Sequence, residues 1–124
     1  MADSIELDGG GVPVDAYAAG VAALYDLVSE LPARPPVTQG RMFNGDGLRV
    51  RGRMFAFIGR NGDLVVKLPE PRVRHLVDQH AGRPVVMGAR TMREWARFPA
   101  EAGVGRWSEM LEEAYGYALA LAQA

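Results

Sequence analysis

Side chains able to do chemistry are few in this sequence, and their spacing does not bring them together. There is no cysteine, so disulfides, thiolate metal sites and thiol nucleophiles are excluded. The only histidines, His75 and His80, are five residues apart. On a helix that spacing separates them by about 140° around the axis, so they cannot share a metal as an i, i+4 pair would. His80 is read at a helix C-terminus, where an imidazolium complements the dipole, and His75 on the flank. The acids stand singly except for Glu112 and Glu113, which are consecutive and point apart, so no acid/base pair can be named. Ser4, Ser29 and Ser108 lack the strand-turn-helix setting of a nucleophile elbow. Gly9, Gly10 and Gly11 are not followed by a Lys-Ser/Thr pair, and the NGDG run at 44–47 reads as a hairpin loop. No catalytic residue, metal ligand or cofactor is therefore nominated, and a non-enzymatic protein is expected.

What the sequence offers instead is base placed next to aromatic. Arg93, Trp95 and Arg97 alternate along a strand-like segment and share a face. They are able to stack on bases and hold phosphates, or Trp95 is core with the guanidinium groups lying over its rim. Arg49, Arg51 and Lys67 fall at intervals of two in the preceding strands, and the six residues together form a candidate binding surface. The net charge of -1 hides their segregation: the balances are -5 over residues 1–40, +7 over 41–97 and -3 over 98–124. Thirteen of the fourteen bases are arginine, a bias that GC-rich coding would also produce, so a solvated basic surface is the plainer reading.

The elements that must position these residues are legible from periodicity. Residues 1–12 have too few large apolar groups to offset ordering entropy and are expected to be a flexible tail, leaving 13–124 as a single domain. From Asp15, Tyr17, Val21, Leu24, Val28 and Leu31 form one helical stripe, stopped by Pro32. Gly20 within it costs about 1 kcal/mol relative to alanine and implies close approach of a neighbour. After PARPP, TQGRMF reads as a strand. Two-residue turns at Arg51-Gly52 and Asn61-Gly62 then set a meander. Both turns together predict Leu48 opposite Phe55, Phe55 opposite Leu68 and Phe57 opposite Val66. One face then carries Leu48, Val50, Phe55, Phe57, Leu64, Val66 and Leu68 as core. The other carries Arg49, Arg51, Met54, Ala56, Ile58, Val65 and Lys67. Pro71 opens a second helix with Val73, Leu76, Val77 and His80 on a face and Gly82 at its end. PVVM and TMREWARF follow as extended segments. A last helix has Trp107, Leu111, Ala114, Ala118 and Leu121 on one stripe, and Met110, Tyr115, Tyr117 and Leu119 on its flank. That second apolar flank implies either deep burial or a partner, and because the other sheet face also interleaves Met54, Ile58 and Val65 with bases, self-association as a homodimer, or a protein partner, is expected.

The order predicts an α+β fold: helix, three- or four-stranded antiparallel meander, helix, β-hairpin, helix. No apolar stretch approaches the ~18 residues of a membrane span, and the acidic start MADSIELD has the character of neither a signal nor a transit peptide. A cytoplasmic protein without membrane contact is expected.

The residues Met42, Phe43, Gly45 and Gly47, then Gly52 to Ala56, Lys67, Glu70 and the pair Glu94-Trp95, ahead of an amphipathic C-terminal helix, resemble the N-terminal domain of the TfoX/Sxy family over about residues 38 to 122. Asn44 stands where the family loop commonly has glycine, and Glu94-Trp95 inverts the usual order. The resemblance implies a secretion-chaperone-like fold and a regulatory or protein-interaction role. Its named members regulate bacterial competence genes and carry a second, C-terminal domain. No counterpart follows within these 124 residues, so transcriptional coactivation is not expected to carry over. The related YjbR/MmcQ proteins, of similar fold, imply the alternative of nucleic-acid binding on the basic sheet face, expected here to be weak because both flanks are acidic.

Overall fold

The computed structural model describes residues 15–31, 35–42 and 45–123. The expected tail at 1–12 and Phe43 and Asn44 of the glycine loop lie outside the described residues.

An alanine-rich stretch with one apolar stripe makes α1 (Ala16–Ser29), whose Leu24 is buried while Tyr17, Val21 and Val28 pack partly against the core. Four strands follow as a meander: β1 (Thr38–Met42), β2 (Gly45–Val50), β3 (Arg53–Ile58) and β4 (Leu64–Lys67). Then come α2 (Glu70–Asp78), β5 (Arg83–Met87), β6 (Arg90–Phe98), a 3-10 turn at Ala100–Ala102 and α3 (Val104–Gln123). The strands form one antiparallel sheet in the order β1-β2-β3-β4-β6-β5. All three helices lie against one face. Gly20 of α1 approaches Ile58, Tyr115 of α3 meets Phe55 edge-on at 5.7 Å, and Leu76 of α2 sits with Phe98 around Gly82. The fold class expected from the sequence is the one observed, with four strands in the meander.

The inner face differs from the expected one through two local features. Leu48 stands opposite Ala56 but Arg49 opposite Met54, so Phe55 has no partner on β2 and β3 carries a β-bulge. Phe55 and Ala56 both turn to the helical layer and both are fully buried. Leu48 is therefore paired with Ala56, not Phe55, and the strand leaves the bulge with inverted parity. The second feature is the loop into β4. Gly59 N–H donates to the Asp63 carbonyl at 2.8 Å and Gly62 N–H to the Gly59 carbonyl at 2.9 Å, enclosing three residues rather than two. Gly62 alone takes a positive φ, +92°, so the Asn-Gly pair closes a type I turn followed by a left-handed residue instead of a type I′ turn. The register becomes Phe57 opposite Val65 and Ile58 opposite Leu64. Ala56 and Ile58 belong to the core, and Phe57 moves to the outer face with Lys67. By contrast Arg51-Gly52 does make the two-residue turn expected, with φ of +51° and +81°.

Gly20 has the close neighbour that its position implied. A Cβ there would stand 2.9 Å from Ile58 Cγ2 and 3.0 Å from the Gly62 carbonyl oxygen. Helix α2 ends differently from expectation. Ala81 N–H bonds the Leu76 carbonyl and His80 N–H the Val77 carbonyl, with His80 itself at φ +59°. This is a Schellman cap in which His80 takes the left-handed position, so His80 leaves the helix face and is exposed, and Gly82 instead lies under the Phe98 ring. The α3 flank is used inside the chain. Met110 and Tyr115 are buried, Leu119 packs on the core and Tyr117 bonds to β6.

Two predictions follow from this packing. Phe55→Ala should cost about 3–5 kcal/mol, the range for a fully buried phenylalanine, whereas the partly exposed Phe57→Ala should cost markedly less; urea unfolding of the two variants checks the inverted parity. His80→Gly should stabilise by about 1 kcal/mol, because a left-handed conformation strains any residue with a Cβ, which a rise in thermal midpoint would register.

Candidate functional site: the outer face of the sheet

Cross-strand registers place the outer-face side chains in rows, since directly opposed residues of an antiparallel pair share a face. One row runs Phe57, Val65, Arg97, Arg83 and the next holds Arg49 with Met54, and Lys67 with Trp95. Val65 is 5% exposed yet stands apart from the main core cluster, as expected of a residue covered from this side by its own row. The Phe57 and Trp95 rings meet at 5.6 Å with a 55° tilt, and Lys67 Nζ stands 5.9 Å from the Trp95 ring centroid.

Of the six residues nominated from the sequence, Lys67, Trp95 and Arg97 are brought together, with Arg93 two residues away along β6. Arg49 shares the face three strands from Trp95, about 14 Å at the usual strand spacing. Arg51 does not belong to it: as the first residue of the tight turn it is exposed at the sheet's end, not on the row. Arg97 is held by the fold, donating from Nη1 to Asp63 Oδ2 at 2.7 Å and from Nε to the Pro84 carbonyl at 3.1 Å. Asp63 is the buried carboxylate of this pair, its side chain 8% exposed. Trp95 is neither core nor free, but partly buried against Phe57.

Residues missed in the sequence are Phe57, Arg83 and Arg90. Phe57 was hidden by the bulge. Arg83 reaches the face only because β5 pairs with β6, and Arg90 only because β6 runs on past the end of β4. There, between the β5–β6 hairpin and Lys67, opens a cleft of about 720 Å³ lined by Lys67 and residues 90–95. The pairing between β5 and β6 shifts here between Pro84 and Val86. Glu94 is bridged on both sides, 3.7 Å from Lys67 Nζ and accepting from Tyr117 Oη at 2.7 Å.

The two layers treat their bases differently. In the helical layer Arg72 pairs with Glu113, Arg74 with Glu70 and Arg106 with Glu109. The Glu113 hydrogen bond raises the Arg72 pKa further above its ordinary range, more than burial lowers it. In the sheet layer, Arg49, Arg51, Arg53, Arg60, Arg83, Arg90 and Arg93 make no ion pair with any described residue. His75 and His80 are exposed, and no group of three metal-ligating side chains lies together among the described residues. Among those residues no helix is long and apolar enough to cross a membrane.

Compared with protein-family models, with curated proteins and with solved structures, the chain matches none significantly.

The Tyr117–Glu94 bond fastens α3 to β6 and is open to test. It raises the Tyr117 pKa, chiefly because the phenol donates to the carboxylate, then through desolvation and the nearby negative charge. A raised pKa means that this contribution is complete below the ordinary tyrosine range and is lost as pH rises through the folded value. The difference in thermal midpoint between the protein and Tyr117→Phe should therefore be constant at neutral pH and shrink above about pH 10.

Proposed function

We propose that this protein is a cytoplasmic, non-enzymatic binding module that engages an anionic macromolecular partner through the outer face of its sheet, in the regulatory role that the TfoX/Sxy resemblance implies. The observation that carries the reading is the asymmetry of ion pairing: the helical layer neutralises its own arginines, and the sheet layer leaves seven without a partner among the described residues. An unpaired guanidinium keeps five donors for a carboxylate or phosphate. Four of the seven, Arg49, Arg83, Arg90 and Arg93, stand on the outer rows or line the adjoining cleft, which concentrates positive charge there despite a net charge of -1. A second copy of the chain is a poor partner for this face, because a two-fold contact would oppose like charges. An acidic protein surface is one partner of the right chemistry. Nucleic acid is the other, favoured by the aromatic pair Phe57–Trp95 in the midst of the bases.

A defined polyanion tests the face without presuming the partner. Labelled poly-glutamate at low salt should bind the protein, measured by fluorescence anisotropy. The triple variant Arg83→Ser, Arg90→Ser, Arg93→Ser should lose most of that binding, while Arg74→Ser with Arg106→Ser in the helical layer should leave it unchanged. Equal losses from the two variants would show that no particular face is used.

A further inference from the structure

Resting on that reading and narrowing it, we infer that the outer sheet face takes single-stranded nucleic acid, with a base stacked at Trp95 and phosphates on the arginines around the adjoining cleft. Three features of the face select this ligand among anionic partners.

The first is the aromatic itself. Trp95 is partly exposed, and the cleft beside it is lined by the cations Lys67, Arg90 and Arg93 together with Thr91, Met92 and Glu94. Phe57 braces the ring from the adjacent row at 5.6 Å. Lys67 Nζ covers it from 5.9 Å, held only by a 3.7 Å ion pair to Glu94. A flexible side chain in that position can swing from the ring to an arriving phosphate. An acidic peptide would satisfy the guanidinium groups but make no use of the indole, whereas every base has a π face to stack on it.

The second is the disposition of charge about the ring. Arg90 and Arg93 are exposed on the cleft wall and make no ion pair among the described residues, with Thr91 adding a hydroxyl to the same lining. Glu94, the one acid in that lining, accepts a hydrogen bond from Tyr117 Oη at 2.7 Å and is thereby tied to α3. Across the sheet Arg49 continues the positive track beyond Met54.

The third is shape, which separates single from double strands. Six strands at their usual spacing make a surface about 24 Å across, and the duplex major groove, about 12 Å wide, admits a helix or a two-stranded ribbon but not this sheet. A base paired in a duplex also hides the faces that Trp95 would stack upon. An unpaired strand lying across β6, β4 and β3 satisfies both requirements.

The experiment uses the whole chain with a fluorescein-labelled 12-nucleotide mixed-sequence DNA strand, the same strand as duplex, and labelled poly-glutamate, each across a range of salt. The single strand should bind at least tenfold more tightly than the duplex and than poly-glutamate. It should also quench tryptophan emission, a signal that comes from Trp95 because Trp107 is 3% exposed. Trp95→Ala should weaken single-strand binding about tenfold while leaving poly-glutamate binding unchanged. Arg90→Ser with Arg93→Ser, at exposed positions that do not bear on folding, should flatten the log-log salt slope by about 0.7 for each contact removed. Poly-glutamate binding without single-strand binding would overturn this inference and leave the anionic-partner reading standing. Failure of all three probes would overturn both. Duplex binding as tight as single-strand binding, or single-strand binding indifferent to Trp95→Ala while Arg90→Ser with Arg93→Ser abolishes it, would overturn the stacking site alone.

Discussion

Phe55 and Ala56, neighbours on β3, both turn their side chains into the helical layer, and the rest of the sheet is arranged around that departure from alternation. Phe55 is unpaired on β2 and fully buried against Tyr115, while Ala56 continues the ladder with Leu48 and Val66. A large ring and a methyl group thus fill the core at adjacent positions. Beyond the bulge the parity of β3 is inverted, so Ile58 packs beneath α1 and Phe57 faces outward. Without the extra residue Phe57 would belong to the core, Ala56 and Ile58 would lie outside, and Trp95 would have no aromatic neighbour on its own face. The three-residue loop at 60–62 is the matching half of the device. It moves β4 by one residue relative to a two-residue turn, so that Leu64 and Val66 meet the inverted strand with their apolar sides inward.

The same one-sided layering separates the charges. Helices α2 and α3 carry glutamates that meet the arginines of their own layer, Arg72 and Glu113 bridging the two helices through a bidentate pair at 2.9 Å. Exposed pairs of this kind contribute at most about 1 kcal/mol each, so their consequence is less for stability than for the field around the molecule. They quench the positive potential of the helical side and leave that of the sheet. On the outer face Lys67 stands 3.7 Å from Glu94, and Arg97 is fixed to the buried Asp63 and to the Pro84 carbonyl. It packs along Val65 and holds the β3–β4 loop to the β5 edge. Removing one member of that pair would strand a charge that is largely desolvated on the Asp63 side.

Much of this arrangement is written locally in the chain. Helical stripes, the proline boundaries, the Arg51-Gly52 turn and the order of elements depend on residues near one another in sequence, and each is read from the spacing of apolar groups and the backbone demands of glycine and proline. The neighbour of Gly20 was legible too, because a glycine in mid-helix costs about 1 kcal/mol and is tolerated where a Cβ has no room. Arg93, Trp95 and Arg97 could be placed on one strand face for the same reason: alternation is a local property.

Only the tertiary structure decided which of two alternations β3 follows, because a bulge is stabilised by what fills the core opposite it, here Tyr115 some 60 residues further on. It decided that the second flank of α3 is an internal surface, since burial of Met110 and Tyr115 requires the sheet against which they pack. It likewise decided that Arg97 is held in place while Arg83, Arg90 and Arg93 are not, because an arginine's partner is chosen by cross-strand geometry and not by its neighbours in the chain. Composition determined that the middle of this protein is basic; the pairing of strands determined that Arg49, Arg83 and the partly exposed Trp95 indole share one face.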